Sequence, residues 1–348
     1  MYLGIEIGGT KLQLGVGVGD GGPLVQLERF AVRAEEKAAG IRQRIEAAGQ
    51  ALIERYGVKA VGVGFGGPVD VRRGRTITSH QIAGWDDFPL ADWCRRVLGR
   101  PVVVANDSDS AGLAEARFGA GRGHRVIFYN NVGSGIGGAL VIEGQLYRGG
   151  SGVASELGHL RPGLAATGPD QTVESIASGW AITAAARSRL SETVSHPFQA
   201  LSEAGTPAEP EQIRQRLIDR EELEERDAAD LLERCSGSVE RLSTPIIAQA
   251  ALAGNRLARE IFARATEALG WAQAQMITLL APDVVVLGGG VSLTPAELWI
   301  EPLRRAVEQY VFPPLSGTYR IVPAALGEQV VVHGALALAA DLHAAAGP

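Results

Sequence analysis

Asn106, Asp107, Ser108 and Asp109 stand in a row directly after the apolar run 101–105. A carboxylate at the C-terminal edge of a buried strand lies at the mouth of an α/β sheet, where ligands bind. A helix opening there favours the ionised form, so Asp107 is a candidate to take a proton from a hydroxyl. Asn, Asp and Ser serve equally well as helix N-caps, and the two roles are compatible. Further along, Glu156-Leu157-Gly158-His159 offers a carboxylate and an imidazole in a glycine-flanked stretch. Such a pair can hydrogen-bond neighbouring sugar hydroxyls, or simply sit satisfied in a loop. Glu174, before Ile176-Ala177-Ser178-Gly179, is a third candidate of the same kind. As a metal site the set is poor: no Cys is near, and the spacing fits no common zinc pattern.

A second kind of chemistry is written in glycine. The chain has 45 glycines, well above the ordinary share of about 7%. Three clusters follow apolar runs: Gly8-Gly9-Thr10-Lys11, Gly133-Ser134-Gly135 and Gly288-Gly289-Gly290. Without a Cβ, backbone N–H groups can approach phosphate oxygens and donate several hydrogen bonds together. One cluster would read as a hairpin turn; three at strand ends point to nucleotide phosphates. None has the Walker pattern and none is a GxGxxG opening a helix, which argues against a P-loop NTPase and a Rossmann dehydrogenase.

These residues need elements to hold them. Residues 2–7 and 11–18 alternate about the first glycine turn as a hairpin, and 24–32 reads as a third strand. Apolar residues at helical spacing predict a helix over 34–56, capped near Gly57. A buried strand over 59–64 leads to the turn Gly66-Gly67-Pro68; strand 101–105 feeds a helix over 107–118. The pattern then restarts: strand 125–131, glycine turn, strand 136–142. Two such units suggest an internally duplicated fold, each half pointing one glycine hairpin into a shared cleft. Residues 251–280 carry an amphipathic helical pattern, 284–287 a buried strand and 329–345 a final helix. The charged stretch 188–243 reads as a solvated helical insertion, with a lid or subunit contact as the alternative.

Composition bounds the remainder. The 348 residues suffice for one large or two ordinary domains. A net charge of -6 gives no electrostatic footprint for nucleic acid or anionic membrane. Cys94 and Cys235 are too few and too far apart for a disulfide framework. No signal peptide or membrane-spanning run is visible. The expectation is a cytoplasmic protein with a small-molecule partner, no nucleic acid and no membrane.

Six stretches in order, at 3–11, 62–70, 102–121, 131–160, 282–292 and 325–339, resemble the ROK family (repressors, open reading frames, kinases) of the sugar kinase/actin/Hsp70 superfamily. The first reads LGIEIGGTK, the second GVGFGGPVD and the fifth PDVVVLGGGVS. The resemblance implies an α/β, two-lobed, actin-like (ribonuclease H-like, duplicated) fold with an interlobe cleft. The expected lobes are 1–108 joined by a helix over about 326–348, and 109–325 carrying the 188–243 insertion.

By the same resemblance the activity is ATP-dependent phosphorylation of a sugar hydroxyl, glucose and its O6 leading. Asp107 would be the base, and Gly67, Asn106, Glu156, His159 and Glu174 would hold the sugar. Gly8, Gly9, Thr10 and Lys11 would border the phosphates from one lobe, and Gly133, Ser134 and Gly135 from the other. Gly288, Gly289 and Gly290 would follow the nucleoside. Mg²⁺ would bridge the phosphates, with Glu6 as its nearest protein carboxylate, and a homodimer is implied. Four departures from the family pattern stand out. Glu6 replaces an Asp. No Cys lies within 161–174, so no structural zinc is expected. Asn131 and Ser134 replace threonines. Ser79-His80-Gln81 replaces an Asn-containing acceptor loop. Repressors of the family resemble this chain but carry a helix-turn-helix ahead of the first hairpin, which here begins within ten residues of Met1. A non-catalytic sugar- or nucleotide-binding protein is the other reading.

Overall fold

The computed structural model describes residues 1–79, 81–195 and 225–347. Tyr2–Ile7 (β1) bends into Lys11–Gly17 (β2), which pairs antiparallel with β1 and with Gln26–Ala31 (β3). The helix Lys37–Tyr56 (α1) buries Ile41, Ile45 and Leu52 on one face and ends at Gly57, whose φ of 61° is the left-handed cap that favours glycine. Val61–Phe65 (β4) is wholly buried, as a parallel strand covered on both faces must be. A small hairpin, Val69–Asp70 (β5) with Arg75–Thr76 (β6), and the helix Leu90–Leu98 (α2) lead to Val102–Asn106 (β7). The resulting sheet has the order β3-β2-β1-β4-β7.

The helix Asp107–Phe118 (α3) then delivers the chain to a second copy of this plan. Val126–Val132 (β8), Ile136–Ile142 (β9) and Gln145–Tyr147 (β10) form the antiparallel half; Val284–Gly288 (β11) and Arg320–Pro323 (β12) add the parallel half. The order β10-β9-β8-β11-β12 repeats the first sheet strand for strand and sense for sense. The duplication expected from two glycine hairpins is therefore present in the topology. Glu174–Ala177 (α4), Gly179–Ser195 (α5), Thr244–Leu252 (α6), Arg256–Leu280 (α7) and Ile300–Tyr310 (α8) belong to this second half. The helix expected over 251–280 is two: the chain breaks at Gly254, with φ of 104°, and Asn255 caps α7 by accepting from the Ala258 amide at 3.0 Å. Apolar periodicity runs through the break because both pieces face the same core.

Val330–Ala345 (α9) leaves the second half and returns to the first, packing on β1, β4 and α3. At Gly334 a β-carbon would stand 1.8 Å from the Ser110 carbonyl oxygen, so α9 and α3 cross backbone to backbone. Val331 and Leu338 share one core cluster with Leu113, Tyr129 and Val286, which joins the two sheets. Glu115 on α3 is fully buried. Its carboxylate accepts from the amides of Ala120 (2.8 Å), Ala325 (2.9 Å) and Leu326 (2.8 Å), so three backbone donors satisfy it. It thereby ties the end of α3 to the segment that enters α9.

The described ends of the 188–243 segment are less solvated than its charge suggests. Residues 196–224 lie outside the described residues. Within 225–243, Ala228, Leu231, Cys235 and Leu242 are buried in the core of the second half. Ala228, Leu231 and Cys235 follow three- and four-residue spacing, an apolar stripe that the surrounding charges mask in the sequence. Cys94 and Cys235 are free and buried. No helix among the described residues is long and apolar enough to cross a membrane.

Candidate active site

The end of β7 separates the two roles offered by Asn106 and Asp107. Asn106 has extended backbone (φ -66°, ψ 154°), and its side chain accepts from the amides of Ser108 at 2.8 Å and Asp109 at 3.4 Å. It is the cap. Its amide nitrogen donates to the Gly67 carbonyl at 2.9 Å, pinning the Gly66-Gly67 turn to the helix start. Asp107 is thus released from capping. One oxygen accepts from the Ser108 amide at 2.7 Å, while Oδ2 faces Gly66, whose β-carbon would stand 3.5 Å away. Gly66 in turn donates its N–H to the Ile7 carbonyl at 2.8 Å, at the lip of the first glycine turn. Burial pushes the Asp107 carboxyl up to about 6, against the bonds from Ser108, with Asp109 adding repulsion.

Glycine at 137 brings the second half to the same place. A β-carbon there would stand 2.2 Å from Ser108 Oγ, so the start of β9 rests on the first turn of α3. Asp107 therefore lies beside the lip of the first turn, and its neighbour Ser108 beside the start of β9.

Glu156 keeps solvent contact, yet is crowded enough that desolvation raises its carboxyl above the usual range. The opposing attraction comes from His159, and the repulsion from Asp109, Glu174 and Asp107. Residues far apart in sequence thus converge on one cluster. His159 is exposed at the end of the short turn Leu157–His159. Glu174, at the start of α4, accepts from the Ile136 amide at 2.6 Å and so braces the second glycine turn as well. Arg148 pairs with Asp109 at 3.4 Å on the far side.

The first turn is closed by Gly8 N–H donating to the Lys11 carbonyl at 2.9 Å, with Thr10 exposed at its tip. Lys11 does not reach into open space. Its ammonium lies 3.2 Å from Glu6 Oε1 and 3.2 Å from the Glu328 carbonyl. Gln13 meets the other Glu6 oxygen at 2.9 Å and the same carbonyl at 3.1 Å. Glu6 is buried, and its carboxyl is pushed up to about 7 by burial, over the opposition of Lys11. The second turn closes with Gly133 N–H donating to the Gly135 carbonyl at 2.9 Å, leaving Ser134 exposed. The parallel register sets Gly288 beside Asn131, so Gly288–Gly290 lies next to this turn. Gly179, at the start of α5, donates to the Gly133 carbonyl at 2.8 Å. The residues that sequence reading did not single out are Gln13, Glu115 and Arg148. Gln13 meets Glu6 across the β1–β2 pair, and Glu115 and Arg148 find partners far along the chain, at 325–326 and at 109. His80 lies outside the described residues.

Two like-ordered sheets, each turning through a glycine hairpin, define the actin-like two-lobed α/β class, and solved structures agree. A ROK family glucokinase of Streptomyces griseus, solved in complex with glucose and AMPPNP, superposes with a TM-score of 0.75 at 30% identity, covering 98% of this chain and 99% of that one. A ROK hexokinase of Thermus thermophilus gives 0.70 at 27% identity over 99% of each chain. A glucokinase of Thermotoga maritima is 29% identical over 341 residues, 97% of this chain and 96% of that protein. A putative xylose repressor of Caldicellulosiruptor is 25% identical over 97% of this chain and 77% of its own length. The ROK family model matches residues 2–342. The chain belongs to the ROK family.

Proposed function

We propose that this chain transfers the terminal phosphoryl group of ATP to a sugar hydroxyl, with O6 of glucose as the acceptor. The observation that carries the reading is the seat of Asp107 beside the first glycine turn, where α3 starts against β9 of the second half, with capping left to Asn106. Support for the substrates comes from the glucose and AMPPNP complex of the Streptomyces griseus relative and from the glucokinase of Thermotoga maritima. In the reaction, the sugar oxygen forms a bond to the γ-phosphorus as the bond from that phosphorus to the bridging oxygen breaks. The hydroxyl proton passes to Asp107 Oδ2, and the bond's electron pair leaves with ADP.

Asn106, Gly67, Glu156, His159 and Glu174 form the sugar side. In this reading Asn106 and Glu174 orient the pocket mainly through the backbone they hold, and Glu156 with His159 supplies the free polar groups. Gly8–Lys11 and Gly133–Gly135 border the phosphates, and Gly288–Gly290 the nucleoside. Magnesium arriving with a nucleotide needs only one or two protein carboxylates. Glu6 is the carboxylate at the first turn that could help hold it, once the ion displaces the Lys11 ammonium and Gln13 amide that now occupy its oxygens; the ion would neutralise charge developing on the phosphates. The proposed lobes are 1–108 with 326–348, and 109–325, in a cytoplasmic homodimer.

The test is ADP release across glucose, mannose, fructose, allose, N-acetylglucosamine and N-acetylmannosamine. Glucose is expected to give the highest kcat/KM. Asp107→Asn is expected to keep the fold by circular dichroism and lose about 10²–10⁴-fold in turnover. In the unsubstituted protein kcat/KM should fall as pH drops through about 6, where Asp107 takes up its proton. Undiminished turnover in Asp107→Asn would remove Asp107 as the base.

A further inference from the structure

The segment after β6 meets the first glycine turn at one point. Ser79 Oγ accepts from the amides of Gln81 at 3.4 Å and Ile82 at 3.2 Å, folding the chain back on itself. Beyond the bend, Ile82 and Trp85 are buried, and the Ala83 carbonyl accepts from the Ala38 amide at 2.9 Å. Trp85 stacks edge-on with Phe65 at 5.4 Å between ring centres, at the end of β4. Gln81 therefore projects from a loop anchored in the first core.

Its side chain rests on Gly9. A β-carbon at Gly9 would stand 1.3 Å from Gln81 Oε1, 2.4 Å from Cδ and 2.9 Å from Cβ. Turning the side chain about χ1 and χ2 would clear the first two contacts; Cβ does not move with those rotations, so the third needs the loop itself to shift. Gly9 has no left-handed φ, so its backbone would accept an alanine. What excludes a side chain at Gly9 is Gln81. A neutral amide is also the group that can lie beside a phosphate turn without repelling an anion, since it offers donors and carries no charge.

We propose that Gln81 is a positioning residue that seats the acceptor-side loop directly on the Gly8-Gly9 turn, so that loop and turn act as one body. Sugar loading on one side then alters the grip on nucleotide phosphate on the other, and linkage makes the effect reciprocal. This rests on the kinase reading above.

The experiment compares the unsubstituted protein, Gly9→Ala, Gln81→Gly and the double variant. The readouts are the unfolding midpoint without ligand, ADP affinity by calorimetry with and without glucose, and kcat and KM for glucose. Gly9→Ala alone should lower the midpoint and raise the glucose KM on the order of 10-fold, because it pushes the loop away. Adding Gln81→Gly should return both values to those of Gln81→Gly alone, and in Gln81→Gly glucose should no longer change ADP affinity. A double variant as impaired as the product of its singles overturns the proposal, as does recovery of the midpoint without recovery of KM. Absence of turnover with every sugar would instead refute the kinase reading, and the midpoints and ADP affinities would still decide the role of Gln81.

Discussion

Glu6 is held by two opposing effects, and its titration can be followed in stability. Burial raises its carboxyl from 4.5 to about 7, although Lys11 sits at 3.2 Å and Gln13 at 2.9 Å. The folded protein therefore holds this proton more tightly than the unfolded chain. The stabilisation is complete below about 4.5 and is lost as pH rises through about 7. Glu6→Gln fixes the neutral form. It is expected to leave the unfolding free energy unchanged near the acid end and to raise it by about 3 kcal/mol at alkaline pH. Chemical denaturation at the two ends of the range measures the difference, and an equal effect at both would contradict the assignment. Asp107 was legible in the sequence because a carboxylate directly after a buried strand has few places to go. Gln13 was not, since its contact with Glu6 depends on the β1–β2 register, which places residues 6 and 13 opposite each other.

The three glycine turns were the most legible elements, the first two set between paired strands and the third following the apolar run of β11. Less legible were α2, α5 and α8, whose apolar faces are short or interrupted, and the break before α7, where one capping residue decides against a continuous helix. The turns also make a local prediction. Trp180, in the first turn of α5, is 55% exposed and donates its backbone N–H to the Ser134 carbonyl at 3.3 Å. Trp85, Trp93 and Trp299 are buried, and Trp271 is half-buried on α7 against the second core. Binding of ADP at the second turn is therefore expected to change the long-wavelength part of tryptophan emission. Trp180→Phe should abolish that change. A signal that survives the substitution would put the nucleotide elsewhere.

At the scale of the molecule, the duplicated sheet order was foreshadowed by two strand–glycine–strand units, but the polar tie between α3 and the segment that enters α9 was not. It is made by Glu115, an acid in the middle of a helix that sequence reading passes over, because its three amide partners come from 120 and 325–326. Glu115→Ala would remove the acceptor of three part-buried N–H groups and is expected to cost about 3 kcal/mol. A lowered denaturant midpoint is the measurement; an unchanged one would mean that water replaces the carboxylate. The placement of α9 has a further consequence, for synthesis. The helix that roofs β1 and β4 is translated only after the whole second half. A ribosome therefore releases the first sheet with one oily side uncovered for most of elongation. The nascent chain must either wait half-built or lean on a chaperone until its last helix emerges.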